Sequence, residues 1–217
     1  MPSGRVSRRG AAWTTSLGIA DARAYVNLSW FTAYKLFNSL FLGMSIGSVF
    51  VLYTPLSPTV FSAGGIGLAL GTLLIATQYH RLFNPRWFFG LSLAVELIIL
   101  MGIVGVLIHP LDQPLALFVY VGYQFTFAFG SYLVRCETLL IAEQSDLAKL
   151  DVAKQAGYLL GMAAAWLFYQ WLEQAAAITQ QVAQVQAIHW PLLGIECLVL
   201  VTLAIAFRGV LTARLAR

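Results

Sequence analysis

The residues with chemical potential in this chain sit inside or beside long apolar runs. In the stretch GSYLVRCETLLIAEQ, Gly130 to Gln144, Arg135 and Glu137 stand at the tail of such a run. Lys35 and Asn38 lie early in another, Glu96 falls near the middle of a third and Glu196 near the middle of a fourth. A charge at the centre of a bilayer costs about 2.5–3.5 kcal/mol on insertion scales, so each is a candidate site residue.

Helical spacing sorts these residues into groups. Gln124, Ser131 and Arg135 recur on helical steps and form one polar stripe, with the small Ala128 filling the gap. Lys35 and Asn38 are three apart and share a face. These five are the candidate substrate-binding residues, and the two cations favour an anionic or zwitterionic small solute. Snorkelling to headgroups is the alternative for Lys35 and Arg135. Glu137, two residues from Arg135, points elsewhere on the helix and is expected to form a structural ion pair with Lys149 or Lys154. Glu96, with Ser92 one turn earlier, and Glu196 are proton-coupling candidates. A neutral acid hydrogen-bonded to a neighbouring helix is the equal alternative for both.

Catalytic and metal chemistry find little support. The histidines His80, His109 and His189 all lie at the ends of apolar runs, so Ser131 gains no general base. Haem ligation lacks facing histidines, and no carboxylate cluster suggests magnesium. Cys136 and Cys197 lie far apart without a C-x-x-C spacing, as buried inert thiols would. GGIGLALG, Gly64 to Gly71, is no phosphate loop, because it lies in an apolar helix with no following Lys. The chain is read as a non-enzyme without a cofactor or metal.

The positioning elements follow from composition. The chain is 59% hydrophobic and 10% charged, with a mean hydropathy of +0.78. Soluble domains are about 45–50% apolar and about 25% charged. The expected fold is all-α, an integral membrane bundle of six transmembrane helices. The spans run over about 30–53, 59–78, 87–108, 115–140, 152–171 and 190–207. TPLSP, HRLFNPR and HPLDQP break the runs with proline, and Trp30, Tyr53, Trp87, Trp171 and Trp190 stand at span ends, where aromatic rings favour the interface.

With that division all 13 Lys and Arg fall on one side of the bilayer. The positive-inside rule then places both termini in the cytoplasm, in a bacterial-type inner membrane. The net charge of +4 thus reflects topology, and no nucleic-acid partner is expected. Residues 1–29 read as a basic, partly amphipathic cytoplasmic arm, although SRRGAAWTTSLGIADA has some likeness to a twin-arginine signal. Residues 30–208 form the six-helix domain and 209–217 a basic tail. The outer connection Leu172–Trp190, rich in Ala and Gln, is either an extension of spans five and six beyond the membrane or a short helix on its surface.

Small residues recur every four positions in span two (Gly65 and Ala69, Gly67 and Gly71) and in span five (Ala153, Gly157, Gly161, Ala165). Such stripes let helices approach closely in lipid, so both spans are expected to be packed inside the protein.

Six spans with both ends inside, the short basic connection YHRLFNPR, the charged connection EQSDLAKLDVAKQAG and the arginine late in span four resemble one half of a major facilitator superfamily transporter. The glycine stripe of span five is similar to that family's pattern as well. The resemblance implies that spans one and four line a central cavity, two and five flank it, and three and six are peripheral. Lys35, Asn38, Gln124, Ser131 and Arg135 would then face the cavity, and Glu96 and Glu196 would sit on peripheral helices. A facilitator-type transporter needs two such halves, so homodimerisation or another membrane protein is expected alongside the lipid bilayer. The rival expectation is a non-transporting accessory or scaffold subunit of a larger membrane complex.

Overall fold

The structure is a computed structural model and describes residues 26–82, 84–140 and 144–215; the arm over 1–25 and Arg217 lie outside the described residues. Every regular element among those residues is a helix: α1 (Leu28–Leu52), α2 (Pro58–Thr77), the single turn α3 (Tyr79–Leu82), α4 (Pro85–Ile108), α5 (Gln113–Leu140), α6 (Gln144–Gln174), α7 (Gln181–Ala206) and α8 (Arg208–Leu215).

The helix starts are set by local chemistry. Asn27 caps α1 by accepting from the Trp30 N–H at 3.2 Å, and Asn84 caps α4 by accepting from Arg86 and Trp87. Each cap satisfies amides that have no carbonyl partner in the first turn. Pro58 and Pro85 open α2 and α4, where a missing N–H is harmless. Asp112 accepts from the Leu115 N–H at 3.0 Å and so starts α5.

Five helices, α1, α2, α4, α5 and α7, are long and apolar enough to cross a membrane, which fits a multi-pass membrane protein. At 31 residues α6 is the longest helix, but Asp146, Lys149, Asp151 and Lys154 crowd its first turns. Across the connection Leu172–Trp190 the two long helices run on toward each other, with no separate short helix among the described residues. α6 continues to Gln174 and α7 begins at Gln181, leaving 175–180 as the turn. Ala177 turns the chain with φ of 54°, and the Ile178 N–H returns to the Leu172 carbonyl at 2.9 Å.

The helices pair in a regular order. α1 packs on α6 and α7, α4 packs on α5 and α7, and α2 packs on α5. Exchanging α1 with α5, α2 with α6 and α4 with α7 maps these five pairings onto one another, whereas the smaller α6–α7 contact has no comparable α2–α4 counterpart. The α1–α6 seam is the closest. A Cβ on Gly157 would strike the Leu36 carbonyl, one on Gly161 the Leu40 carbonyl, and one on Gly43 the Tyr158 carbonyl. The stripe expected in span five therefore lies backbone to backbone against α1.

The expectation for span two is overturned. No residue of α2 is buried, and a Cβ on Gly65 or Gly67 would meet nothing within 4 Å. α2 is held instead by Gly64, whose bare backbone admits the Tyr120 ring of α5. The Tyr120 hydroxyl donates to the Phe61 carbonyl at 3.2 Å. A four-residue repeat of small side chains permits close packing without requiring it, which is why two similar stripes have different fates.

Aromatic clusters close the bundle near both ends. Phe31, Phe88 and Phe207 meet at centroid distances of 5.3–5.9 Å. There the Asn27 N–H also donates to the Ala206 carbonyl, tying the start of α1 to the end of α7. Tyr53, Phe61 and Tyr120 stack edge-on or tilted at the opposite end.

Candidate functional site

The buried charges gather where α1, α4, α5, α6 and α7 approach one another. Glu137, on the last turn of α5, is 3% exposed and takes two cations. Lys154 of α6 bonds its Oε1, and Lys35 of α1 lies 2.9 Å from its Oε2 in an ion pair not aligned as a hydrogen bond. One carboxylate thus ties three helices. The Lys35 ammonium also sits 5.4 and 5.3 Å from the ring centroids of Phe31 and Tyr34. Such placement offsets part of the cost of withdrawing it from water.

Lys149, the other expected partner of Glu137, pairs with Asp146 at 3.1 Å, on the exposed side of α6. Lys154 lies farther along the helix and faces the core. The resulting pair is one helical step removed from a surface pair.

One turn deeper, Glu96 of α4 is 1% exposed. Its Oε1 accepts from the Tyr34 hydroxyl at 2.6 Å and from the Asn38 amide at 3.0 Å. Tyr34 and Asn38 are one turn apart on α1, so the same helical face supplies both donors. Glu196 of α7 is fully buried and lies within electrostatic reach of Glu96. No described residue donates to either of its oxygens or to Glu96 Oε2. A cation is closer to Glu96 than the sequence suggests, since Lys35 also acts on it. The two glutamates do not face outward from peripheral helices; both are buried, on two helices, α4 and α7, that pack against each other.

The five residues expected to face one cavity are divided. Lys35 and Asn38 are committed to Glu137 and Glu96. Ser131 and Arg135 lie on the exposed side of α5, with the Arg135 guanidinium 5.9 Å from the Tyr79 ring centroid. Gln124 is half-buried, and its Oε1 accepts no hydrogen bond. A cavity of about 220 Å³ does exist among α1, α4, α5 and α7, but none of the five lines it. Its polar groups are Ser45, Ser48, Tyr123, Thr126 and His189, set among apolar side chains.

Tyr34, Ser45, Ser48, Tyr123 and Thr126 escaped the reading of the sequence, and His189, expected at the end of an apolar run, is buried in the cavity lining. Tyr34 carries the signal in its spacing to Asn38, whereas Ser45 and Ser48 look like the small residues of any membrane helix. No family model, curated protein or solved structure matches the chain.

Proposed function

We propose that the chain is one six-helix half of a transporter like those of the major facilitator superfamily, with α6 as span five and both termini in the cytoplasm. A second six-helix unit, which a homodimer would supply, completes the pathway. The cargo is a small solute, with Arg135 favouring an anionic one.

The observation that carries this reading is the helix pairing. The exchange of α1, α2 and α4 with α5, α6 and α7 preserves the five most extensive pairings, as expected when a six-helix half is built from two three-helix repeats. Exposure of Ser131 and Arg135 on α5 supports a polar surface turned toward a second unit. The Glu137 cluster supports a charge lock between α1 and α5, the two cavity-lining helices of this reading.

Purified protein in proteoliposomes tests it, with counterflow of small radiolabelled organic anions as the probe. Uptake is expected to vanish in Arg135→Ala and to survive in Arg214→Ala. A protein that stays monomeric in mild detergent and in lipid would remove the homodimeric form of the proposal.

One observation favours the second reading, a scaffold subunit. The unburied face of α2 presents Ile66, Leu70, Leu73 and Leu74 beside Gly65 and Gly67. Co-purification of a stoichiometric membrane partner in native lipid, with no uptake by the chain alone, would select that reading.

A further inference from the structure

We propose that Glu96 and Glu196 together bind one proton, carried by Glu196 and shared with Glu96 across the α4–α7 interface. The inference needs only the helix bundle and does not rest on the transport reading.

Charge balance gives the first reason. The groups in electrostatic reach of the pair are Tyr34 and Lys35 on α1 and Tyr123 on α5; Glu137 of α5 joins them through its ion pair with Lys35, and Lys154 of α6 through its bond to Glu137. Three carboxyls, Glu96, Glu137 and Glu196, therefore face two ammoniums, Lys35 and Lys154. Asp151 also touches Lys154, but it is 70% exposed and belongs to the solvated surface. One negative charge is left in the apolar core, where an unpaired charge is costly.

Hydrogen bonding gives the second. Ionised carboxylates only accept, so two of them have nothing to offer each other. Three oxygens here, Glu96 Oε2 and both of Glu196, receive no donor from the described residues. An O–H on Glu196 directed at Glu96 Oε2 supplies the missing donor and removes the surplus charge together. Glu96 already takes two donors on Oε1, an arrangement suited to the ionised form. Glu196 has none, and so holds the hydrogen.

A proton fits where a metal ion does not. No group of three or more His, Cys, Asp or Glu among the described residues could hold a metal. The 220 Å³ cavity has neither glutamate in its lining. Calcium or magnesium would need about six oxygen ligands, far more than this interface presents.

Infrared spectroscopy of the full chain in lipid nanodiscs tests the assignment. At neutral pH solvated carboxyls, with ordinary values of about 3.9–4.3, contribute only carboxylate bands. The wild type is expected to keep one protonated-carboxyl carbonyl band, and Glu196→Gln, whose amide supplies a donor to Glu96 without a titrating proton, is expected to lose it. Glu173→Gln, in the last turn of α6, should retain it. The melting temperature of the wild type should fall as pH rises above the ordinary carboxyl range of about 4.3, because the unfolded chain then releases a proton that the folded state keeps, and that slope should flatten in Glu196→Gln. Absence of the band in the wild type, its survival in Glu196→Gln, or a sodium-specific rise in melting temperature at constant ionic strength would overturn the proposal. The wild-type band and its pH titration decide the matter even where the variant fails to fold.

Discussion

The Lys35 ammonium lies 2.9 Å from Glu137 Oε2, joining α1 to α5 across 102 positions of sequence, and Lys154 of α6 holds the other oxygen of the same carboxylate. Removing one side of a buried pair leaves the other charge without compensation, a loss of about 3–5 kcal/mol. Glu137→Gln leaves two ammoniums in contact with a neutral amide and is expected to destabilise the protein by about 3 kcal/mol. Lys149→Ala, which removes only the surface pair with Asp146, should produce no measurable change. Thermal unfolding of purified variants in detergent reads both.

Tyr34→Phe deletes the shorter of the two hydrogen bonds to Glu96. A hydrogen bond to a charged group contributes about 1.5–3 kcal/mol, and Asn38 remains to hold Oε1. A loss of about 1.5 kcal/mol is expected, near the lower end of that range. Asn38→Leu combined with Tyr34→Phe should cost more than the two single changes together, because Glu96 is then left without a described donor. A double-mutant cycle on unfolding free energies checks the coupling.

Gly157→Ala and Gly161→Ala are each expected to prevent accumulation of folded protein, because the new methyl meets main-chain carbonyls of α1 that no rotamer change can move. Gly65→Leu and Gly67→Leu should fold normally, since their Cβ positions face open space. If the α2 face docks another protein, these two variants will instead lose the complex while retaining the monomer. Size-exclusion chromatography with expression level separates the outcomes.

How far the sequence discloses this architecture depends on the range of each interaction. The breaks at Pro58, Pro85 and Asp112 are local, and the helices start there. The division between Arg135 and Glu137 is also local, because positions two apart on a helix point in different directions. Partner choice is different. Lys35 looks like a cavity residue on its own helix, and only the placement of α5 beside it reveals Glu137. The two glycine stripes are equivalent as strings, yet α1 supplies a matching backbone surface for one and nothing buries the other. Glu96 and Glu196 are conspicuous singly, but their juxtaposition depends on the packing of α4 against α7.

Ala177 offers a last test, at the turn between α6 and α7. Its φ of 54° puts a Cβ in the left-handed region, where an L-residue pays about 1–2 kcal/mol. Glycine removes that steric cost but loses more conformational freedom on folding, about 0.4–1 kcal/mol relative to alanine. Relief of the clash is the larger effect, so Ala177→Gly is expected to stabilise the hairpin by about 0.5 kcal/mol. Ala177→Val, branched at Cβ, should destabilise it by more than glycine stabilises it. The side chain is exposed, so neither change disturbs a packed interface, and the difference reports backbone conformation alone. Paired unfolding curves of the two variants, together with amide hydrogen exchange at Ile178, whose N–H closes the turn onto Leu172, would show the opposite signs.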